Sequence, residues 1–172
     1  PVERALSIVA RGRRVILTPR HRDVINKKYT LIDYIESGIT EEMNNGMTRL
    51  ISGYEELLQK PYPKSKVIYG SNDSEMLKVA IENLDNYFEF VGVQEDFKNS
   101  MFFMKKAFNL SNITLIKTNI TNKKQLNVSI DERNTILKYN RLDNELFEYG
   151  KRKLEIQKKN EKVKLFFFNL KN

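Results

Sequence analysis

Residues 74–97, SEMLKVAIENLDNYFEFVGVQEDF, carry the reading on which the fold turns. Met76, Leu77, Ala80, Ile81 and Leu84 recur at helical spacing and share one face, and Asn72-Asp73-Ser74 ahead of them is a helix-start signal. Phe88-Glu-Phe90-Val91-Gly-Val93 is a short apolar run and the best strand in the chain. Glu95 or Asp96 then opens a further helix over Phe97–Phe108.

Working outward, the pattern stays helical. Upstream, Thr40 with Glu41 and Glu42 starts a helix that runs through Leu50-Ile51 to Gly53, and Thr30 caps another over Leu31–Ser37 that Gly38 stops. Pro1 begins a helix with Val2, Ala5, Leu6 and Val9 on one face, ended by Gly12; residues 11–28 and 60–71 read as loops. Downstream, Thr114–Lys117 offers a second short strand and residues 118–128 a polar loop. Ser129-Ile-Asp-Glu132 has the capping-box pattern, with one helix to about Lys138 and a longer one from Arg141 to beyond Gln157. The expectation is α-rich with one or two short strands, in a single domain over residues 1–172, since neither a repeat nor a Gly/Ser linker divides the chain. A lone strand or pair cannot hide its edges. Either the domain is all-α with a stray strand, or it belongs to a larger α/β domain whose other strands lie upstream.

Composition removes several chemistries. Cysteine is absent, which excludes disulfides, thiolate-held metals and a Cys nucleophile, and His21 is the sole histidine, so a His-rich metal centre is excluded too. No apolar run reaches the ~18 residues of a membrane span. The net charge of +8 is uneven: residues 1–28 carry eight basic against two acidic side chains, residues 151–172 the same, and the stretch between is acidic overall. Basic ends around an acidic middle suit an anionic ligand. In the N-terminal block the cations are mostly Arg11, Arg13, Arg14, Arg20 and Arg22, the planar partners of phosphate, sulfate and carboxylate.

Four segments, taken in order, resemble one family, the carbohydrate sulfotransferases of the heparan sulfate 2-O-sulfotransferase type with their bacterial relatives. Pro1-Val-Glu-Arg4-Ala-Leu-Ser7 resembles R-D-P-x-x-R-x-x-S from its third position, and Asn45-Gly-Met-Thr48-Arg49-Leu-Ile51-Ser-Gly53 is similar to N-x-x-T-R-x-L-x-G. Ala80 to Phe97 matches A-x-x-N-L-x-x-x-F-x-F-V-G-L-x-E-x-F, and Asn140 to Tyr149 is similar to N-x-L-D-x-x-L-Y-x-[YF], with Phe147 where Tyr is usual.

The resemblance implies the C-terminal part of an α/β, P-loop-like sulfotransferase fold. It implies PAPS (3′-phosphoadenylyl sulfate) as donor co-substrate, no metal, and a carbohydrate-like hydroxyl as acceptor. Ser7, with Arg4, would hold the donor's 3′-phosphate side, where a hydroxyl near a helix start can donate to phosphate. Lys123 and Lys124, with Lys117, are further donor-side candidates; Arg49, Arg20 and Arg22 are candidates for the acceptor, Arg49 alternatively pairing inside the fold. The family's phosphosulfate loop, its phosphate-binding Arg and its catalytic base fall before Pro1, so no catalytic residue is assigned and this portion alone is expected to be inactive. Five N-x-[ST] sequons, four of them clustered, hint at a secretory lumen, but Asn-rich bias explains most of them. The expected location is the cytoplasm, or the Golgi lumen if the parent carries an anchor. The competing reading is a non-catalytic basic module for nucleic acid or an anionic polysaccharide. It accounts for the charge but not for the order of the four segments, and no RRM, zinc-finger or helix-turn-helix signature supports it.

Overall fold

The computed structural model describes residues 26–39, 43–53, 70–71, 73–111 and 128–161. Its elements in chain order are α1 (Leu31–Glu36), α2 (Gly46–Ser52), α3 (Ser74–Asn86), a 3-10 turn (Gln94–Asp96), α4 (Phe97–Ala107), α5 (Ile130–Tyr139) and α6 (Arg141–Asn160). The chain is helix-rich, as its periodicities predict, and no strand occurs among the described residues.

Three helix starts follow from local capping chemistry. The Asp33 N–H donates to Thr30 Oγ1 at 3.1 Å while Asp33 Oδ2 accepts from the Thr30 N–H at 2.9 Å. The same reciprocal box forms between Ser129 and Glu132, at 3.2 and 2.8 Å. Asp73 accepts from the Glu75 N–H at 2.9 Å to open α3. Each device satisfies N–H groups that the first helical turn leaves without an intrahelical partner.

The start of α2 corrects the sequence reading. Thr40 and the two glutamates beside it lie outside the described residues, and the helix that reaches Ser52 begins only at Gly46. Asn45 stands at φ 49°, ψ 41°, in the left-handed region, and such a residue cannot continue a right-handed helix. At the other end Gly53, at φ 76°, closes α2 with its N–H turned back to Leu50 O.

The strand expected at 88–93 is also corrected; the second, at 114–117, lies outside the described residues. Val93 is extended, but a side chain answers both of its backbone groups. Ser100 Oγ accepts from the Val93 N–H at 2.8 Å and donates to Val93 O at 2.9 Å. An apolar run thus packs between α3 and α4 with no ladder. Gly92 keeps it close, since a Cβ there would stand 2.7 Å from the Phe90 ring and 3.1 Å from Ser100 Cβ. The aromatic residues of 87–108 divide between core and surface. Phe103 is buried, with Phe90 and Phe102 packed beside it, whereas Tyr87, Phe88, Phe97 and Phe108 are exposed, Tyr87 at 81%.

The apolar side chains gather in three clusters. Leu31, Tyr34 and Ile35 of α1 meet Met43 and Ile136 of α5. Ala80 and Leu84 of α3 meet Leu146 of α6, with Met47 and Ile51 of α2 packed against them. Val93 and Phe103 meet Leu154, also of α6. Leu142, Leu146, Gly150 and Leu154 recur every fourth residue and are all buried, so one face of α6 serves two of the three clusters. Met43 and Met76 are fully buried, and Met101 and Met104 are half-buried on α4.

Candidate functional site

Two helix N-termini face each other where α2 meets the α5–α6 break. The first-turn N–H groups of a helix have no intrahelical acceptor and carry the positive end of its dipole. For α6 the acceptor is Asn45 Oδ1, 2.9 Å from the Leu142 N and 3.3 Å from the Asp143 N. For α2 it is the Asp143 carboxylate, which accepts from the Met47 N–H at 3.0 Å and, through Oδ1, from the Thr48 N–H and the Thr48 hydroxyl at 2.7 Å each. Asn45 and Asp143 are 1% and 5% exposed. The carboxylate is therefore held inside the fold by three donors and two helix ends rather than by a cation contact among the described residues.

The rest of Asn45 ties in further chain. Its backbone N–H donates to Tyr139 O, the end of α5, at 3.1 Å, and its Nδ2 donates to Ser71 O at 3.2 Å. Asn44 Oδ1 accepts from the Gly70 N–H at 3.1 Å. The far end of α2 is held by α3, where Asn83 Nδ2 donates to Ile51 O at 2.8 Å. Asn140 closes the break between α5 and α6: its N–H and its Nδ2 both donate to Ile136 O.

Arg49 lies on α2 within this junction. Its side chain is fully enclosed, at 0% exposure, and it is engaged rather than free. Of the two roles open to it, internal pairing fits this burial. Arg4, Ser7, Arg20, Arg22, Lys123 and Lys124 lie outside the described residues, as do His21 and Lys117.

A second polar constellation ties α3 to α6 at the surface. The Tyr149 hydroxyl donates into the Asp85 carboxylate, 2.6 Å from each oxygen, and Lys153 Nζ reaches Asp85 Oδ1 at 2.6 Å and Leu84 O at 3.3 Å. The Lys153 hydrogen bond, then that of Tyr149, holds the Asp85 carboxyl below its ordinary value. The bond to Asp85, then burial, pushes the Tyr149 phenol up to about 12. Near the end of α6, Lys158 bonds Asp96 at 2.8 Å and Glu155 at 2.6 Å. Burial alone would raise Asp96, but its bonds to Lys158 and Asn99 outweigh that and lower it, and Asp96 in turn raises Lys158. A phenol and an ammonium so held are poor bases at neutral pH; these pairs fasten helices.

The described residues thus join their helices through these polar contacts. No group of three His, Cys, Asp or Glu able to hold a metal occurs among them, and none of their helices is long and apolar enough to cross a membrane. Asn45, Thr48 and Asp143 belong to two separate motifs, and their spacing alone does not say that they meet. The signal was present in part, since Asn-Gly is a turn pair and Asp143 sits in a first helical turn. No family model, curated protein or solved structure matches the chain.

Proposed function

We propose that this chain is the C-terminal portion of a PAPS-dependent sulfotransferase that moves a sulfuryl group to a hydroxyl of a carbohydrate-like acceptor. The observation that supports the reading is which residues join the separated segments. Asn45 and Thr48 come from one motif, Asn83 from a second and Asp143 from a third, and each is a position that the family pattern specifies by residue type. These four pattern letters are thus accounted for by cross-segment hydrogen bonds, as they would be if the segments had been kept together to build one scaffold. On this reading Arg4, Ser7, Lys123 and Lys124 would contact the donor nucleotide, and Arg20 and Arg22 the acceptor. The base and the phosphosulfate loop would belong to residues other than these 172. Arg49 would support the site from within.

The test is binding of the 172-residue chain and of its parent to immobilised PAP, the product nucleotide, beside an immobilised oligonucleotide. The sulfotransferase reading expects the parent to retain PAP and Ser7→Ala in that parent to weaken it about ten- to a hundredfold, the value of one charge-assisted hydrogen bond. Binding of the oligonucleotide with steep salt dependence, and none of PAP, would favour the basic-module reading instead.

A further inference from the structure

Asn45-Gly46 is the sole Asn-Gly pair in the sequence, and it sits at the centre of the α2–α6 junction. Asn-Gly is the dipeptide most prone to spontaneous loss of the side-chain amide, because glycine has no Cβ to hinder its own backbone nitrogen. In that reaction the Gly46 nitrogen attacks Asn45 Cγ. The new C–N bond closes a succinimide, Nδ2 leaves as ammonia with the proton from the Gly46 nitrogen, and solvent water opens the ring at either carbonyl. Aspartate or isoaspartate is left at position 45.

We infer that Asn45 is a modification site of this kind, closed in the folded chain and opened by separation of α2 from α6. Ring closure requires the Asn45 side chain to swing back over its own peptide bond. That motion breaks the bonds from Leu142 and Asp143 to Oδ1 and the bond from Nδ2 to Ser71 O. A side chain 1% exposed and so held reaches the reactive geometry only when the junction opens, so the conversion rate follows the open population.

The same geometry makes the conversion hard to reverse structurally. Position 45 must accept from two N–H groups and donate to Ser71 O, and an amide does both where a carboxylate only accepts. A second carboxylate would also enter the fold beside that of Asp143. Isoaspartate would add a methylene to the main chain immediately before α2. The chain therefore keeps a labile residue where its chemically stable relative cannot serve.

The experiment is incubation of the whole 172-residue chain at mildly alkaline pH, with and without urea, followed by peptide mass spectrometry at position 45. Conversion in buffer is expected to be at least about tenfold slower than in urea, the ratio given by an opening free energy of about 1.4 kcal/mol. Chains converted in urea are then returned to buffer, where they are expected to melt at a lower temperature than unconverted chains taken through the same cycle. Equal rates with and without urea would overturn the gating. Unchanged melting of the converted chains would overturn the structural consequence.

Discussion

Asn45 caps the helix that begins at Arg141, and Asp143 of that helix caps the one that begins at Gly46. Each residue supplies the acceptor that the other's helix lacks, across nearly a hundred residues of sequence. Neither helix needs an N-cap of its own once they have met, and no side-chain cap bond from Asn45 to α2 or from Asn140 to α6 is formed. At seven residues α2 is too short to be stable alone, and α6 supplies the acceptor that its first turn lacks.

Asp143→Ala should be among the most destabilising single changes in the chain. It strands the Met47 and Thr48 N–H groups and the Thr48 hydroxyl in a largely buried junction, at a cost of about 3 kcal/mol. Asp143→Asn should lose less, about 1–2 kcal/mol, because one oxygen remains to accept. Combining Asp143→Ala with Asn45→Ala should cost less than the two losses added, by about 1–2 kcal/mol, since either change already frees the junction. Urea melts of the single and double variants measure all three values.

The starts of α1, α3 and α5 are legible in the sequence because their caps are local: Thr30 with Asp33, Asp73 with Glu75, Ser129 with Glu132. The start of α2 is not, because the residue that decides it bonds to Leu142 and Asp143. The same reason hides the role of Asp143, which reads alone as an ordinary first-turn acid. The run at 88–93 fails differently. Alternating bulk tells that a segment is buried on one side, but not whether a strand or a serine answers its backbone. For Arg49 the sequence leaves two roles open, and its enclosure, which no periodicity reports, is what favours the internal one.

Ser100→Ala tests the substitute for a ladder. The hydroxyl both accepts from and donates to Val93, so its loss leaves a buried N–H and a buried carbonyl without that partner. A loss of about 2 kcal/mol is expected in thermal or urea melts, with helix content retained in far-ultraviolet circular dichroism. Gly92→Ala should add a clash with the Phe90 ring and cost about 1–3 kcal/mol by the same measurement.

The Asp85–Tyr149–Lys153 contact gives stability a defined pH range. Asp85 has a folded pKa below its ordinary 3.8, so its contribution is present above that value and lost as pH falls through the folded pKa. Tyr149 has a folded pKa raised from 10.0 to about 12, so its contribution is present below 10.0 and lost as pH rises towards 12. Phenolate absorbance of the native chain should show Tyr149 titrating late, and Tyr149→Phe should remove its share of that late step. Persistence of the whole step in Tyr149→Phe would assign it to other tyrosines.

Arg49→Ala separates a residue that touches the acceptor from one that holds the fold. A side chain at 0% exposure, inside a helix whose carbonyl at Ile51 is held by Asn83, is expected to act through the fold. Truncation leaves a cavity and deprives the groups around the guanidinium of their partner, so a loss of about 2–4 kcal/mol is expected. Arg49→Lys should recover little of it, because an ammonium lacks the planar fork and is more strongly hydrated. In the parent protein, the donor and acceptor constants should then drift together as the folded fraction falls. The decisive measurement is PAP titration calorimetry and acceptor titration beside thermal melts of both variants. A selective loss of acceptor affinity at unchanged melting temperature would move Arg49 from the interior to the substrate.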